Sequence, residues 1–211
     1  MPGKTVADPK GKILVVDGSA TERELISKVL SRAGYEVVAR EDSDGAFDAF
    51  ATERPDLVLL DSDLPKMSGL EICKRLRKQA DRRFVAILML PASPGIDQLA
   101  KAVKLGADDF FRKPFYPPEL VARVKAGMLT KRLQDELTAS KHRIEVLEKA
   151  NDAGRPSENA TGTPSVDLEV LRARFGSLLD LMQSLKARRA TRAAFNASPA
   201  EMGRSAARRR G

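Results

Sequence analysis

Asp56-Leu57-Val58-Leu59-Leu60-Asp61-Ser62-Asp63-Leu64-Pro65 decides the fold. Four consecutive aliphatic residues leave no polar face, so the run predicts a strand buried on both sides, as strands of parallel sheets are. Asp61 closes it. Pro65 and Gly69 shape a turn, Ser68 and Glu71 stand at capping-box spacing, and Leu70, Ile72, Cys73 and Leu76 give the next helix an apolar face.

The alternation extends in both directions. Upstream, Lys12-Ile13-Leu14-Val15-Val16 is a second buried strand, ending at Asp17. Ser19 with Glu22 offers another capping box, followed by Leu25, Ile26, Val29 and Leu30 at helical spacing until Gly34. Glu36 to Ala39 reads as a strand and Asp44 to Thr52 as a helix. Downstream, Ala86 to Leu90 and Asp109 to Phe111 are strands, and Ile96 to Leu105 between them is a helix ended by Gly106. Parallel neighbours need crossover connections, so this order predicts an α/β fold, a five-stranded parallel sheet of doubly wound, flavodoxin-like form. Ligands of such sheets bind outside the carboxyl ends of the strands. Asp17 and Asp61 lie at such ends and Lys113 follows the fifth strand, so two carboxylates and an ammonium are expected to converge there.

Beyond the sheet the pattern turns helical. A helix starting near Pro117-Pro118 has no stop signal before Asn151, and Leu133, Leu137, Ile144 and Leu147 suggest a coiled-coil seam. Residues 151–165 read as a flexible linker, 166–190 as a second amphipathic helix with Leu168, Leu171, Phe175, Leu178, Met182 and Leu185 at heptad spacing, and 191–211 as a basic disordered tail. Residues 1–11 are expected to be disordered, 12–125 to form the α/β domain and 126–150 its helical extension. The charge excess sits at the end: residues 186–211 hold eight basic residues and one acidic. A polar N-terminus and the lack of a long apolar run predict a cytoplasmic protein with no membrane span.

Ile13 to Asp17, Asp56 to Pro65 with Gly69-Leu70-Glu71, Gly106-Ala107-Asp108-Asp109-Phe110, and Lys113-Pro114-Phe115 together resemble the receiver domains of bacterial response regulators. That resemblance implies that Asp61 accepts a phosphoryl group from a sensor histidine kinase. It implies Mg²⁺ held by Asp17, Asp61 and the backbone carbonyl of Asp63, with Lys113 neutralising the transferring oxygens. Phe110 stands at the family's aromatic switch position, and the Lys113-Pro114 bond is expected to be cis.

Two positions depart from the family pattern. Gly18 replaces the second of a pair of acidic residues, removing a carboxylate from the metal. Pro91 stands where the family has a Thr or Ser whose hydroxyl grips the phosphoryl group; proline has neither hydroxyl nor N–H. Asp63 could offset Gly18 through its side chain. Two readings stay open: a degenerate receiver phosphorylated weakly, slowly or not at all, and a scaffold in which Asp61 and Lys113 are only an ion pair.

Other features have plainer readings. Cys73 is expected to be a buried small hydrophobe and His142, off the helical seam, a surface residue. Lys74, Arg75, Arg77 and Lys78, with Arg82 and Arg83, read as a solvated helix face. The expected product is a non-enzymatic signalling protein that acts through protein–protein contacts and a homodimer of its C-terminal helices. Nucleic acid is an unlikely partner on this reading; the alternative is a nucleic-acid-binding regulator using the arginine-rich tail.

Overall fold

The computed structural model describes residues 10–81, 83–92 and 96–153. Its elements run β1 (Lys12–Val16), α1 (Ala20–Arg32), β2 (Glu36–Arg40), α2 (Ser43–Glu53), β3 (Leu57–Asp61), α3 (Gly69–Gln79), β4 (Ala86–Leu90), α4 (Ile96–Lys104), β5 (Asp109–Phe110) and α5 (Pro117–Ala153). Every strand is parallel to its neighbour, in the order β2-β1-β3-β4-β5. The α/β fold expected from the sequence is therefore present. β5 is shorter by a residue: Phe111 still donates its N–H to the Met89 carbonyl, but the chain leaves the sheet for the Lys113-Pro114 corner, whose peptide is cis as expected.

Side chains of each strand alternate between two apolar layers. Leu14, Val16, Val58, Leu60 and Ile87 face α2, α3 and α4, while Ile13, Val15, Leu57, Leu59 and Leu88 face α1 and α5. α5 packs through Leu120, Val124 and Met128, all buried. Gly127 lets that helix approach closely, because a Cβ there would lie 2.7 Å from Leu57 Cδ1. Cys73 is buried in the first layer, and burial pushes its thiol up to about 11.

The basic stretch of α3 and the loop after it divides into two kinds of residue. Lys74, Arg75 and Lys78 are exposed, but Arg77 is an internal strut rather than part of a solvated face. Its guanidinium donates to the Gly106 carbonyl, to the Val85 carbonyl at 2.8 Å and to Asp108 at 2.7 Å. Arg83 donates to the Pro55 carbonyl at 2.7 Å and lies over the Phe50 ring. Long arginine stems let the charge reach backbone carbonyls that no short side chain could satisfy.

The chain divides after Lys131 into two units. The described part of the second is the remainder of α5, from Arg132 to Ala153. There Leu137 is buried, and His142 is exposed as expected. α5 continues three residues into the stretch read as linker. Residues 166–190 and the basic tail lie outside the described residues. Among the described residues, no helix is long and apolar enough to cross a membrane.

Candidate functional site

β1 and β3 are adjacent, so Asp17 and Asp61 emerge side by side at their carboxyl ends. Asp17 is held in place by its own turn: its Oδ1 accepts the Ser19 N–H at 2.8 Å, and its carbonyl accepts from Arg23 at 2.7 Å. Asp61 is seated by a close approach of α3. The Gly69 N–H donates to the Ser62 carbonyl, and a Cβ on Gly69 would lie 2.1 Å from the Asp61 carbonyl oxygen.

Lys113 enters from the turn after β5, its N–H donating to the Pro91 carbonyl at 3.1 Å. Its Nζ lies 2.8 Å from Asp17 Oδ2, 3.1 Å from Asp61 Oδ2 and 2.5 Å from Glu22 Oε2. The expected convergence of Asp17, Asp61 and Lys113 is present. Burial lowers the tendency of the Lys113 ammonium to hold its proton, but the hydrogen bonds to Asp17 and Glu22 outweigh it and hold the group above the ordinary lysine range. Burial also raises the Asp61 carboxyl; Lys113 opposes that shift and the Asp17 charge adds to it.

Glu22 is the member that sequence reading placed elsewhere. A capping box would turn its carboxylate back to the Ser19 N–H. Half of the box forms, since the Ser19 hydroxyl accepts the Glu22 N–H at 3.4 Å. The other half does not, because Asp17 already takes the Ser19 N–H and a buried ammonium is a stronger partner than an amide. A signal was present: with Gly18 lacking a side chain, Glu22 is the first carboxylate available after Asp17.

Gly18 and Pro91 bound the site where carboxylate and hydroxyl are missing. A Cβ on Gly18 would meet Pro65 Cδ at 3.4 Å and the Asp63 carbonyl oxygen at 3.9 Å, an open seat of ordinary contact distances. Pro91 follows Leu90, which is in register with Asp61. Pro91 and Phe110 both line a cavity of about 310 Å³ with Ser62, Asp63, Leu70 and Leu99, and Phe110 is buried. The Asp63 carboxylate accepts from the Ser62 hydroxyl at 3.2 Å.

Among the described residues, no three His, Cys, Asp or Glu side chains are disposed to hold a metal together. Mg²⁺ does not require three: it is commonly bound through one or two carboxylates and keeps several waters. Two aspartates at adjacent strand ends and a carbonyl facing the Gly18 seat are hard oxygen donors, so the residues present fit it in kind.

The family model described as response regulator receiver domain matches residues 13–125. The chain is 44% identical over 115 residues to the alkaline phosphatase synthesis transcriptional regulatory protein PhoP of Bacillus subtilis, covering 54% of this chain and 47% of that protein. It is 41% identical over 126 residues to the phosphate regulon transcriptional regulatory protein PhoB of Pseudomonas aeruginosa, covering 60% and 52%. The chain thus spans about half the length of the curated relatives it matches. Among solved structures it is similar to the chemotaxis response regulator CheY4 of Vibrio cholerae, with TM-score 0.52 and 32% identity over 55% of this chain and 97% of that one. It is also similar to NtrX of Brucella abortus, with TM-score 0.57 and 30% identity over 61% of this chain and 29% of that one.

Proposed function

The chain belongs to the response-regulator receiver family, and from that premise we propose that it is a cytoplasmic phosphorelay protein with Asp61 as phospho-acceptor in a depleted site. Its phosphorylation is weak or slow, and its output passes through protein–protein contacts. The observation that carries this reading is the buried pairing of Asp61, at the end of the central strand, with Lys113 at 3.1 Å.

An Asp61 carboxylate oxygen would attack the phosphorus of a phosphohistidine on the kinase. The new O–P bond forms as the P–N bond breaks, and the electron pair stays on the imidazole nitrogen, which takes up a proton. Two anions must approach one another, so neutralising charge governs the rate. Lys113 brings one positive charge to the reacting oxygens, but three carboxylates already share it. Mg²⁺, held by Asp17, Asp61 and the Asp63 carbonyl, would supply further neutralisation of the phosphoryl oxygens. Gly18 leaves that set a carboxylate short, and Pro91 offers the phosphoryl group no hydroxyl. Both departures support slow transfer.

A sensor histidine kinase or another signalling protein is the partner on this reading, and the chain pairs with a second copy of itself through its C-terminal helices. The 37-residue α5, whose seam residues Leu133, Ile144 and Leu147 stay partly exposed, supports self-association. Because α5 packs in the core through Met128, a truncation that respects the fold ends at Lys131 rather than Lys125. Light scattering of the full chain and of that truncation is expected to find a dimer only in the former.

The deciding experiment is incubation with acetyl phosphate and Mg²⁺, followed by intact mass, with Asp61→Asn as control. Partial, slow, Asp61-dependent addition is expected. Rapid stoichiometric addition would overturn the depleted site, and no addition would leave the ion-pair scaffold. A second reading, a nucleic-acid-binding regulator, is favoured by the relatives' names as transcriptional regulators and by the eight basic residues against one acidic within 186–211. Salt-sensitive DNA binding lost on deleting 186–211 would support it.

A further inference from the structure

Lys113 makes its shortest contact not with either buried aspartate but with Glu22, at 2.5 Å. The first turn of α1 fixes where that carboxylate stands. Arg23 donates to the Asp17 carbonyl at 2.7 Å and pairs with Glu41 at 3.5 Å, while Ser19 caps the helix and donates to Asp17. The backbone of residue 22 is thus tied to the site from both sides, and Glu22 spends its side chain on Lys113 rather than on its own helix cap.

The partners of Lys113 differ in freedom. The side chains of Asp17 and Asp61 are 1% and 8% exposed, whereas Glu22 is 40% exposed. A phosphoryl group on Asp61 needs the ammonium on its own oxygens, so Lys113 must give up contacts to reach it. The aspartates are fixed by strand ends and turn hydrogen bonds, which leaves Glu22 as the competitor that can be removed without opening the core.

We infer that Glu22 is a positioning residue that competes with the acceptor for the Lys113 ammonium and so acts as a brake on phosphorylation of Asp61. The inference rests on the proposed phospho-acceptor role of Asp61. Glu22 needs to touch neither the phosphoryl group nor a metal; it acts through Lys113 alone.

The test uses the full chain, acetyl phosphate and Mg²⁺, with Asp61 labelling followed by intact mass across donor concentrations. In Glu22→Gln the maximal rate is expected to rise about ten-fold, the scale of one charge-assisted hydrogen bond. The donor KM should move little, because the ammonium acts mainly on charge in the transition state. The gain should vanish in a Lys113→Ala background, a dependence that general loosening of the fold would not show. Glu22→Ala, with thermal melts of every variant, guards against a folding defect in one of them. A wild-type chain that is labelled, with Glu22→Gln unchanged or slower, overturns the brake and leaves the acceptor reading standing. A gain that persists with Lys113→Ala also overturns the brake. Absence of label in every variant, Glu22→Gln included, overturns the acceptor role and the brake together.

Discussion

The Asp63 carbonyl oxygen looks onto Gly18 across 3.9 Å, measured to the Cβ that the glycine lacks. The nearest atom to that position is Pro65 Cδ at 3.4 Å, an ordinary van der Waals contact, and residue 18 is not among those with positive φ. The Cβ of an aspartate therefore enters without clash or backbone strain, and its carboxylate is expected to stand near Asp17 and the Asp63 carbonyl. Gly18→Asp is expected to tighten Mg²⁺ binding roughly ten-fold or more and to speed acetyl-phosphate labelling of Asp61. Calorimetric Mg²⁺ titration of both proteins checks it. Equal affinities would mean that the missing carboxylate is not what limits this site.

Pro91 limits the site differently. Its carbonyl accepts the Lys113 N–H, a role any residue can fill, but it offers no hydroxyl beside the strand end that is in register with Asp61. Pro91→Thr keeps the carbonyl and adds a donor. Combined with Gly18→Asp, it is expected to raise the labelling rate by more than the product of the single effects, since both groups act on the same phosphoryl oxygens. Strictly multiplicative rates would show that the two positions act independently.

The frame was legible because its signals are local. The apolar runs 13–16, 57–60 and 86–90 read as buried parallel strands, and Asp17 and Asp61, which close the first two, fall at strand ends whatever the packing detail. What escaped depends on contacts distant in sequence. Glu22 has perfect cap spacing, yet Lys113, 91 residues away, takes its side chain. Arg77 sits in a run of surface charges, yet Gly106 and Asp108 draw it inward. In both cases a partner distant in sequence takes the side chain, and spacing along the chain carries no record of it.

Burial raises the proton affinity of Asp61 against the opposing pull of Lys113, and this has a defined sign for stability. A folded-state pKa above the unfolded one gives stability that is present at low pH and lost as pH rises through the folded value. Once ionised, Asp61 is therefore a destabilising charge, and the Asp17 charge adds to the cost. Asp61→Asn is expected to raise Tm at pH 7. The gain should fade as pH drops toward the ordinary carboxylate value of 3.8, where the wild-type group is protonated as well. Thermal melts at pH 7 and pH 4 measure both ends of that range. A lower Tm for the variant at pH 7 would show that the Lys113 pairing outweighs the burial.

Gly69 and Gly127 both stand where a Cβ would intrude, and the kind of atom each would meet separates their roles. At Gly69 the Cβ would lie 2.1 Å from the Asp61 carbonyl oxygen and 2.8 Å from Ser62 Cα, which are backbone atoms of the acceptor loop. Relief requires α3 to withdraw or the loop to move, and either displaces Asp61 from Lys113. At Gly127 the nearest atoms are Leu57 Cδ1 at 2.7 Å and Leu88 Cδ1 at 3.2 Å, ends of side chains that can rotate. Alanine also favours the helix there by up to about 1 kcal/mol, which offsets part of the repacking. Gly69→Ala is expected to cost roughly 3 kcal/mol and to abolish labelling of Asp61 even in the fraction that folds. Gly127→Ala should cost less than half as much and leave labelling at the wild-type rate. Denaturant melts with labelling of the folded protein measure the two effects separately. Normal labelling in Gly69→Ala would mean that the close approach of α3 is not what seats the acceptor.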